Sequence, residues 1–205
     1  MKSKIISKKP VDKKHIIVVD DVQIDPKTIE MHRQRINTIF ANQSEEYRLE
    51  QLNKMIMHDI LFSKAMDYLF AHYEFNIDKE DLDQHINFVI GNSKDVDLNN
   101  MSQQLKEAVE STAKKLIIQK LIFDDIQKEN NIAVSDEELE KILIGYYKET
   151  NQPIRTFKQD PQRYEEARTS IINEKVISTI ISMFEFNLDK FLEKVNNFKP
   201  SNKDN

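Results

Sequence analysis

The stretch EFNIDK at residues 74–79 returns almost unchanged as EFNLDK at residues 185–190. A third stretch, NIAVSD at residues 131–136, shares its pattern of two apolar side chains two positions apart, followed by Asp or Ser. Asp and Ser are preferred caps for the first backbone N–H groups of a helix, and the alternating apolar pair fits a short extended segment. Each copy therefore predicts a joint at which one helix ends, the chain extends and the next helix begins.

The copies start at Glu74, Asn131 and Glu185, so they recur at nearly equal intervals along the chain. Such a spacing is typical of an internal repeat of helix, joint and helix. The alternative, that any helical protein contains units of this kind, stays open at this point.

Further capping signals divide the rest of the chain into helices. Proline after Asp25 and after Asp160 suits a first helical turn, because its fixed φ is helical and its missing N–H is not needed there. Ser44 precedes a long helical apolar pattern, and Ser135 with Glu138 forms a capping box. The β-branched run from Ile16 to Val19 fits a short strand or a docked extended segment.

These patterns predict an all-α fold class. We expect an elongated protein of long helices with protruding helical arms, preceded by an N-terminal extended segment. The predicted organisation is a basic tail and extended segment at residues 1–25, one helical domain at 26–195 and a disordered tail at 196–205.

The composition excludes several kinds of site. With two Gly among 205 residues, the chain has neither a P-loop nor a dinucleotide-binding glycine motif. The absence of Cys removes thiolate nucleophiles and cysteine zinc sites, and the five His form no His-Glu-x-x-His motif. We therefore predict no catalytic residues, no metal and no cofactor. An enzyme whose site is gathered from distant residues remains a rival hypothesis.

Charge is unevenly distributed along the chain. The formal net charge is −5, from 30 Lys and Arg against 35 Asp and Glu, although the segment from Met1 to Lys14 contains six Lys and one Asp. This N-terminal segment predicts a disordered solubilising tail, with a weak ribosome or RNA contact as the alternative. The basic residues concerned are Lys2, Lys4, Lys8, Lys9, Lys13 and Lys14.

No apolar run is long enough for a membrane span or a signal peptide, so we expect a cytoplasmic protein with no membrane contact.

The order of helices, joints and caps resembles the C-terminal domain of the chaperone trigger factor, and the related helical fold of the periplasmic chaperone SurA. The strongest similarity lies in KENNIAVSDEEL at residues 128–139, and NEKVISTII at 173–181 resembles that family's closing helix. The likeness covers roughly residues 26–195. The family's ribosome-binding and peptidyl-prolyl isomerase domains do not fit in this chain, so the resemblance implies the client-binding fold alone.

The resemblance implies a holdase chaperone without catalysis, which binds non-native or nascent polypeptides in a cradle between helical arms. Flexible Met and aromatic side chains suit a surface that accepts many partners. The predicted client-binding residues are Met55, Phe62, Met66, Phe70, Tyr73, Met101, Tyr146 and Tyr147. The alternative is a helical adaptor or scaffold with one fixed protein partner, and a homo-oligomer stays open in either case.

Overall fold

The protein is mostly helical, as predicted, and its described residues also form two small sheets. A computed structural model describes residues 1–12, 15–20, 25–91, 101–150 and 160–191, without the side chains of 146–150. In the described part, the helices are α1 (Pro26–Ile39), α2 (Glu45–Phe70), α3 (Lys79–Val89), α4 (Gln103–Glu129), α5 (Asp136–Thr150) and α6 (Pro161–Ser182). The strands are β1 (Lys4–Lys8), β2 (Ile16–Val18), β3 (Tyr73–Asn76) and β4 (Glu185–Asn187). The predicted tail at 196–205 lies outside the described residues.

Side-chain caps fix the starts of the helices where the sequence predicts them. Asp25 Oδ1 accepts a hydrogen bond from the N–H of Lys27 at 3.0 Å, and Asp160 Oδ1 accepts from that of Gln162 at 3.1 Å. Ser44 Oγ accepts from the N–H of Tyr47 at 3.2 Å. These three predictions are confirmed, because each bond satisfies an N–H group that has no partner inside its helix.

Contacts between residues group the chain into two compact units, each built from two separate stretches. The first unit combines Met1–Val11 with Met66–Ile132, and the second combines Asp12–Ala65 with Ala133–Asn205. The predicted domain boundaries after residues 25 and 195 remain predictions.

The first unit is built on the packing of α3 against α4, with a ribbon of two strands beside them. Strand β1 pairs antiparallel with β3, from Lys4 opposite Asn76 to Lys8 opposite Tyr73, and a bulge lies between Ile5 and Ser7. The core of this unit is apolar and consists of Met66, Leu69, Tyr73, Ala113, Ile117, Leu121, Ile122 and Ile126. Residues 4–8, expected in a disordered tail, are therefore an ordered strand.

Polar contacts explain why this N-terminal segment is ordered. The buried carboxylate of Asp81 accepts three hydrogen bonds, from the N–H of Lys2 at 2.7 Å, the N–H of Ser3 at 2.5 Å and the hydroxyl of Ser3 at 2.6 Å. The Ser3 hydroxyl in turn accepts from the N–H of Asp78 at 3.0 Å. A local sequence pattern does not reveal these contacts, since Ser3 and Asp81 are far apart in the sequence.

The second unit contains the other ribbon, in which β2 runs parallel to β4. Val134, Leu139 and Leu143 form a buried cluster, and Tyr164, Ala167, Ile171 and Ile172 of α6 pack against it. Further buried apolar side chains in this unit are Ile17, Val19, Ile36, Leu52, Ile60, Ala65, Val176, Ile180 and Phe184.

Two of the three predicted joints contain a strand. EFNIDK supplies most of β3 and then Asp78, which caps α3 through its Oδ1. EFNLDK supplies β4, and here Asn187 Oδ1 accepts from the N–H of Asp189 at 3.0 Å. The strand of each joint pairs with a strand of the N-terminal segment that precedes α1: β3 pairs with β1, and β4 pairs with β2.

The middle joint has no strand among the described residues. Asn131 adopts a positive φ of 51°, and the N–H of Ile132 donates to the carbonyl of Gln127 at 2.9 Å. This is the hydrogen-bonding pattern of a Schellman cap. Asn131 and Ile132, which would otherwise begin a strand, belong to this cap. Side chains then hold the extended backbone: Lys175 donates to the carbonyl of Ala133 at 3.2 Å, and Arg168 to that of Val134 at 2.6 Å.

The predicted capping box at the start of α5 is half formed. Ser135 Oγ accepts from the N–H of Glu138 at 3.2 Å, as expected. The Glu138 carboxylate instead forms an ion pair with Lys175 at 2.7 Å. Glu138 thus contributes to the packing of α5 against α6.

Candidate functional site

The predicted client-binding residues have different environments. Met66 and Tyr73 are buried, with exposed fractions of 4% and 5%, so neither presents a surface to another molecule in this conformation. Phe70 and Met101 are half-buried. Tyr146 and Tyr147 lie in α5, and their side chains are outside the described part of the structure. The two remaining residues, Met55 and Phe62, line a groove.

This groove lies in the second unit and has a volume of about 420 Å³. We call it the α1–α2–α6 groove, after the three helices that supply its walls. Its lining residues are His32, Arg35, Gln51, Lys54, Met55, His58, Asp59, Phe62, Glu174 and Ile177. Three of these are apolar and seven are polar or charged, so the groove has a larger polar share than most small-molecule pockets.

Helical geometry explains why Met55 and Phe62 share the groove. The two residues are seven positions apart, with His58 between them at the third position, so all three lie on one face of α2. Ile177 of α6 supplies the third apolar side chain. All three apolar residues are half-buried, so part of each remains available for contact.

A hydrogen bond between His32 and Asp59 connects α1 to α2 at the groove. The Nε2 of His32 lies 2.6 Å from Oδ2 of Asp59, and the His32 side chain is only 12% exposed. The imidazole N–H donates to the carboxylate, which holds both side chains in place. Because the pair fixes one wall, the groove is pre-formed on this side, which lowers the entropy cost of binding.

The remaining charges of the groove are of mixed sign. Lys54 pairs with Glu50 on the same helix at 2.7 Å, and the hydrogen bond to Glu50 raises the pKa of this exposed ammonium group. Arg35 is exposed and forms no ion pair within the described residues, while Glu174 is an exposed acid on α6. The lining of the groove therefore carries side chains of both charges.

A second apolar surface lies in the first unit, between α3 and α4. It has a volume of about 390 Å³ and is lined by Gln84, His85, Phe88, Leu116 and Lys120. Phe88 is 70% exposed, more than the other large apolar residues of the described part. We did not predict this site from the sequence. A signal was present, since Leu82, Ile86 and Val89 form the inner face of α3 and Phe88 falls outside that face.

Two of the N-terminal lysines predicted to contact RNA form ion pairs with acidic side chains of this chain. Lys2 pairs with Glu80. Lys8 pairs with Asp125 at 3.0 Å and with Glu129 at 2.7 Å. Lys4 and Lys9 are exposed, and Lys13 and Lys14 lie outside the described residues. The RNA contact remains a prediction, with Lys8 unsuited to it because its charge is already neutralised.

The described residues lack two further kinds of feature. They contain no cluster of three or more His, Asp or Glu side chains able to hold a metal ion. Among them there is also no helix with the length and apolarity that a bilayer span requires.

Several known proteins resemble this chain along most of its length. Residues 48–182 match the model of the bacterial trigger factor C-terminus. An uncharacterized protein of Mycoplasma genitalium, MG377, is 34% identical over 181 residues, which cover 88% of this chain and 90% of that protein. Its homolog in Mycoplasma pneumoniae is 32% identical over the same share of each chain. The crystal structure of the hypothetical Mycoplasma protein MPN555 superposes with a TM-score of 0.76 at 30% identity, covering 91% of both chains.

Proposed function

Because the chain belongs to the bacterial trigger factor C-terminal family, we propose that it is a holdase chaperone which binds non-native or nascent polypeptides without catalysis. The observation that carries the proposal is the α1–α2–α6 groove, whose apolar residues are Met55, Phe62 and Ile177. A groove with a few apolar anchors and a mixed polar rim suits short apolar segments of many sequences. Met55 adds adaptability, because an unbranched thioether side chain can repack against different partners.

The expected affinity is moderate. Burying one apolar side chain of a client contributes roughly 1.5–3 kcal/mol. Two or three such anchors contribute at most about 9 kcal/mol, and the cost of association and of ordering the client reduces this binding free energy, so we expect dissociation constants weaker than micromolar. A client held this weakly can leave and fold, as a holdase requires.

The groove test compares two double variants in suppression of aggregation. Met55→Ser with Phe62→Ser removes two of the three apolar anchors of the groove. Ile142→Ser with Ile144→Ser removes a similar apolar area from α5, where these side chains are 40% and 44% exposed. The assay is light scattering of chemically unfolded citrate synthase and rhodanese, diluted into buffer with each variant.

We expect the wild type and the α5 variant to suppress aggregation of both clients when they are present in molar excess over the client. The groove variant should need at least about tenfold more protein, because each lost anchor weakens binding by about 1 kcal/mol or more. Equal suppression by the wild type and the groove variant would exclude this groove as the client site. Circular dichroism melting curves check that both variants remain folded.

The adaptor hypothesis makes a different prediction. If the wild type protects neither client, and one cellular protein co-purifies with it at a fixed molar ratio, the chain is an adaptor with a dedicated partner. The predicted cytoplasmic location and oligomeric state stay predictions under both hypotheses.

A further inference from the structure

The charged side chains that line the α1–α2–α6 groove differ in whether they have a partner. Lys54 and Asp59 are each bound by a neighbouring side chain, as described above. Arg35 on α1 and Glu174 on α6 are both exposed, and neither forms an ion pair or a hydrogen bond with another described residue. The groove therefore offers one positive and one negative charge with which a bound segment can pair.

The sequence explains why these two charges are unpaired along their own helices. Side chains three and four positions apart are neighbours on a helix, and Arg33 pairs in this way with Glu30 at 3.8 Å. The positions three and four residues from Arg35 hold Met31, His32, Thr38 and Ile39, and those from Glu174 hold Ser170, Ile171, Ile177 and Ser178. The first four include no acid and the second four no base, so neither helix supplies a partner.

The unpaired cation lies beside one of the apolar anchors. His32 of α1 is bound to α2 at position 59. One turn later on α1, Ile36 lines a small cavity together with Leu52. Helices α1 and α2 therefore run antiparallel, and Arg35, which lies between these two contacts, is placed at the turn of α2 that holds Met55.

The unpaired anion lies beside another anchor. Glu174 precedes Ile177 by three positions on α6, so both side chains lie on the same face of that helix and line the groove. The apolar part of the groove is thus bordered by a cation on α1 and by an anion on α6. A segment that buries apolar side chains in the groove brings its neighbouring residues close to both charges.

We propose that the groove selects client segments in which an apolar stretch has an acidic residue on one side and a basic residue on the other. Arg35 pairs with the client carboxylate, to which its planar guanidinium can donate two parallel hydrogen bonds, and Glu174 pairs with the client cation. A segment with two acids or two bases places like charges together at one of these positions, which disfavours it. The proposal rests on the chaperone function of the groove and names the class of segment that it binds.

The experiment compares three peptides with blocked termini and one shared apolar stretch. They are Glu-Leu-Ser-Phe-Leu-Ser-Lys and its versions with Glu at both ends or Lys at both ends. Chemical-shift titration of the nitrogen-15-labelled full-length protein measures the dissociation constants and identifies the residues that respond. We expect the Glu–Lys peptide to bind about threefold to tenfold more tightly than the other two, with the shifts at the residues of the groove.

Charge reversal in the protein should change which peptide is preferred. Arg35→Glu should bind the Lys–Lys peptide most tightly, and Glu174→Lys should prefer the Glu–Glu peptide. The control is Arg33→Glu, which changes the net charge by the same amount on the same helix at a position that does not line the groove. We expect Arg33→Glu to keep the preference for the Glu–Lys peptide, with its affinity within about twofold of the wild type.

The outcomes separate this inference from the chaperone function. Equal binding of the three peptides, or the same change of preference in Arg35→Glu and Arg33→Glu, overturns charge selection even if the wild type suppresses aggregation. The expected preferences in a protein that suppresses no aggregation support charge selection and overturn the holdase function. If the reversal variants do not fold, the three peptides on the wild type decide alone.

A second copy of the chain is the other occupant that the experiment tests. A dimer in sedimentation velocity that Arg35→Glu abolishes, in a protein that binds none of the peptides, would show that the groove is an interface between copies. That result would overturn the inference, as would shifts confined to residues outside the groove.

Discussion

The two strand ribbons of this protein are held in place by different physical means. The β1–β3 ribbon is anchored by polar groups in addition to the buried ring of Tyr73. Asp81 accepts hydrogen bonds from Lys2 and Ser3, and Lys8 lies between Asp125 and Glu129 with its ammonium group 5.2 Å from the centre of the Tyr73 ring. The β2–β4 ribbon is anchored by the burial of Ile17 and Val19. Ribbons this short are not stable alone, so each needs such an anchor.

The difference predicts different vulnerabilities. Hydrophobic burial depends little on pH, whereas contacts through titratable groups are lost when those groups change charge. The β2–β4 ribbon should therefore respond mainly to truncation of its side chains, and the β1–β3 ribbon to extremes of pH.

The largest effect on the free energy of unfolding is expected for Ile17→Ala in the β2–β4 ribbon. Removing a buried Ile side chain loses its transfer free energy and leaves a cavity, which lowers the free energy of unfolding by about 2–4 kcal/mol. The control is Ile16→Ala in the same strand, where the side chain is 51% exposed and the loss should be below about 1 kcal/mol. Urea unfolding followed by circular dichroism measures both. Equal losses would contradict the assignment of the anchor to Ile17.

A smaller effect on the free energy of unfolding is expected for Tyr73→Phe in the β1–β3 ribbon. The Tyr73 hydroxyl donates to Asp125 at 2.9 Å, and its loss should lower the free energy of unfolding by about 1–2 kcal/mol at neutral pH. Tyr47→Phe is the control, since Tyr47 is 38% exposed and its change should stay within about 0.5 kcal/mol. A Tyr73→Phe variant as stable as the wild type would show that the hydroxyl does not anchor β1–β3.

Titration of Tyr73 and Lys8 is expected to reduce the stability of the β1–β3 ribbon at alkaline pH. Burial raises the pKa of Tyr73 to about 12, with Lys8 opposing the shift and Asp125 adding to it. For Lys8, burial lowers the pKa, but the hydrogen bonds to Glu129, Tyr73 and Asp125 outweigh it and raise the pKa above its usual range. Folding thus favours neutral Tyr73 and charged Lys8, a stabilisation that is complete below about pH 10 and is lost as the pH rises towards 12. The difference in tyrosinate absorbance between the wild type and Tyr73→Phe should have its midpoint near pH 12.

The smallest effect is expected on the acid side, at Asp81. The hydroxyl of Ser3, followed by the N–H groups of Ser3 and Lys2, lowers the pKa of this carboxyl group below its usual value. The stabilisation is present above the pKa of the unfolded chain and is lost as the pH falls through the lowered value. Amide hydrogen exchange of residues 4–8 should therefore accelerate several-fold on acidification, relative to the intrinsic rate. In Asp81→Asn the exchange should be faster at neutral pH and should lose this pH dependence, and a retained dependence would exclude Asp81 as its origin.

The helices could be located from the sequence because their signals are local. The caps at Asp25, Ser44 and Asp160 act on N–H groups two or three positions away, so the sequence shows both partners of each bond. The joints with EFN were recognised for the same reason. The ordered strand at Lys4–Lys8 was missed, because lysine-rich ends are usually disordered and its partners are distant in the sequence.

The middle joint shows how a small shift changes the outcome of a repeated pattern. Helix α2 ends at Phe70, four positions before its joint at Glu74, whereas α4 ends at Glu129, only two positions before its joint at Asn131. Because α4 continues closer to its joint than α2 does, Asn131 and Ile132 belong to the C-terminal cap of α4, and no strand forms there. Propensity alone does not set the end of a helix this finely.

Only some of the predicted client-binding residues lie in the groove, and their role stays a prediction. Four of the predicted residues lie in α2, namely Met55, Phe62, Met66 and Phe70, and only Met55 and Phe62 line the α1–α2–α6 groove. An apolar residue on a helix has the same local pattern whether it faces a core or a groove, so Met66 could not be distinguished from Met55 and Phe62. Phe88 was not identified from the sequence, because it falls outside the apolar face that Leu82, Ile86 and Val89 form on α3.

The sequence by itself determined that this protein is helical, where its helices begin and which family it resembles, since those properties depend on residues within a few positions of one another. Only the tertiary structure decided that the N-terminal segment completes two ribbons, that Asp81 and Asp125 hold it, and which apolar side chains remain accessible. Those properties depend on the burial and pairing of residues distant in sequence, and a pattern along the chain does not contain that information.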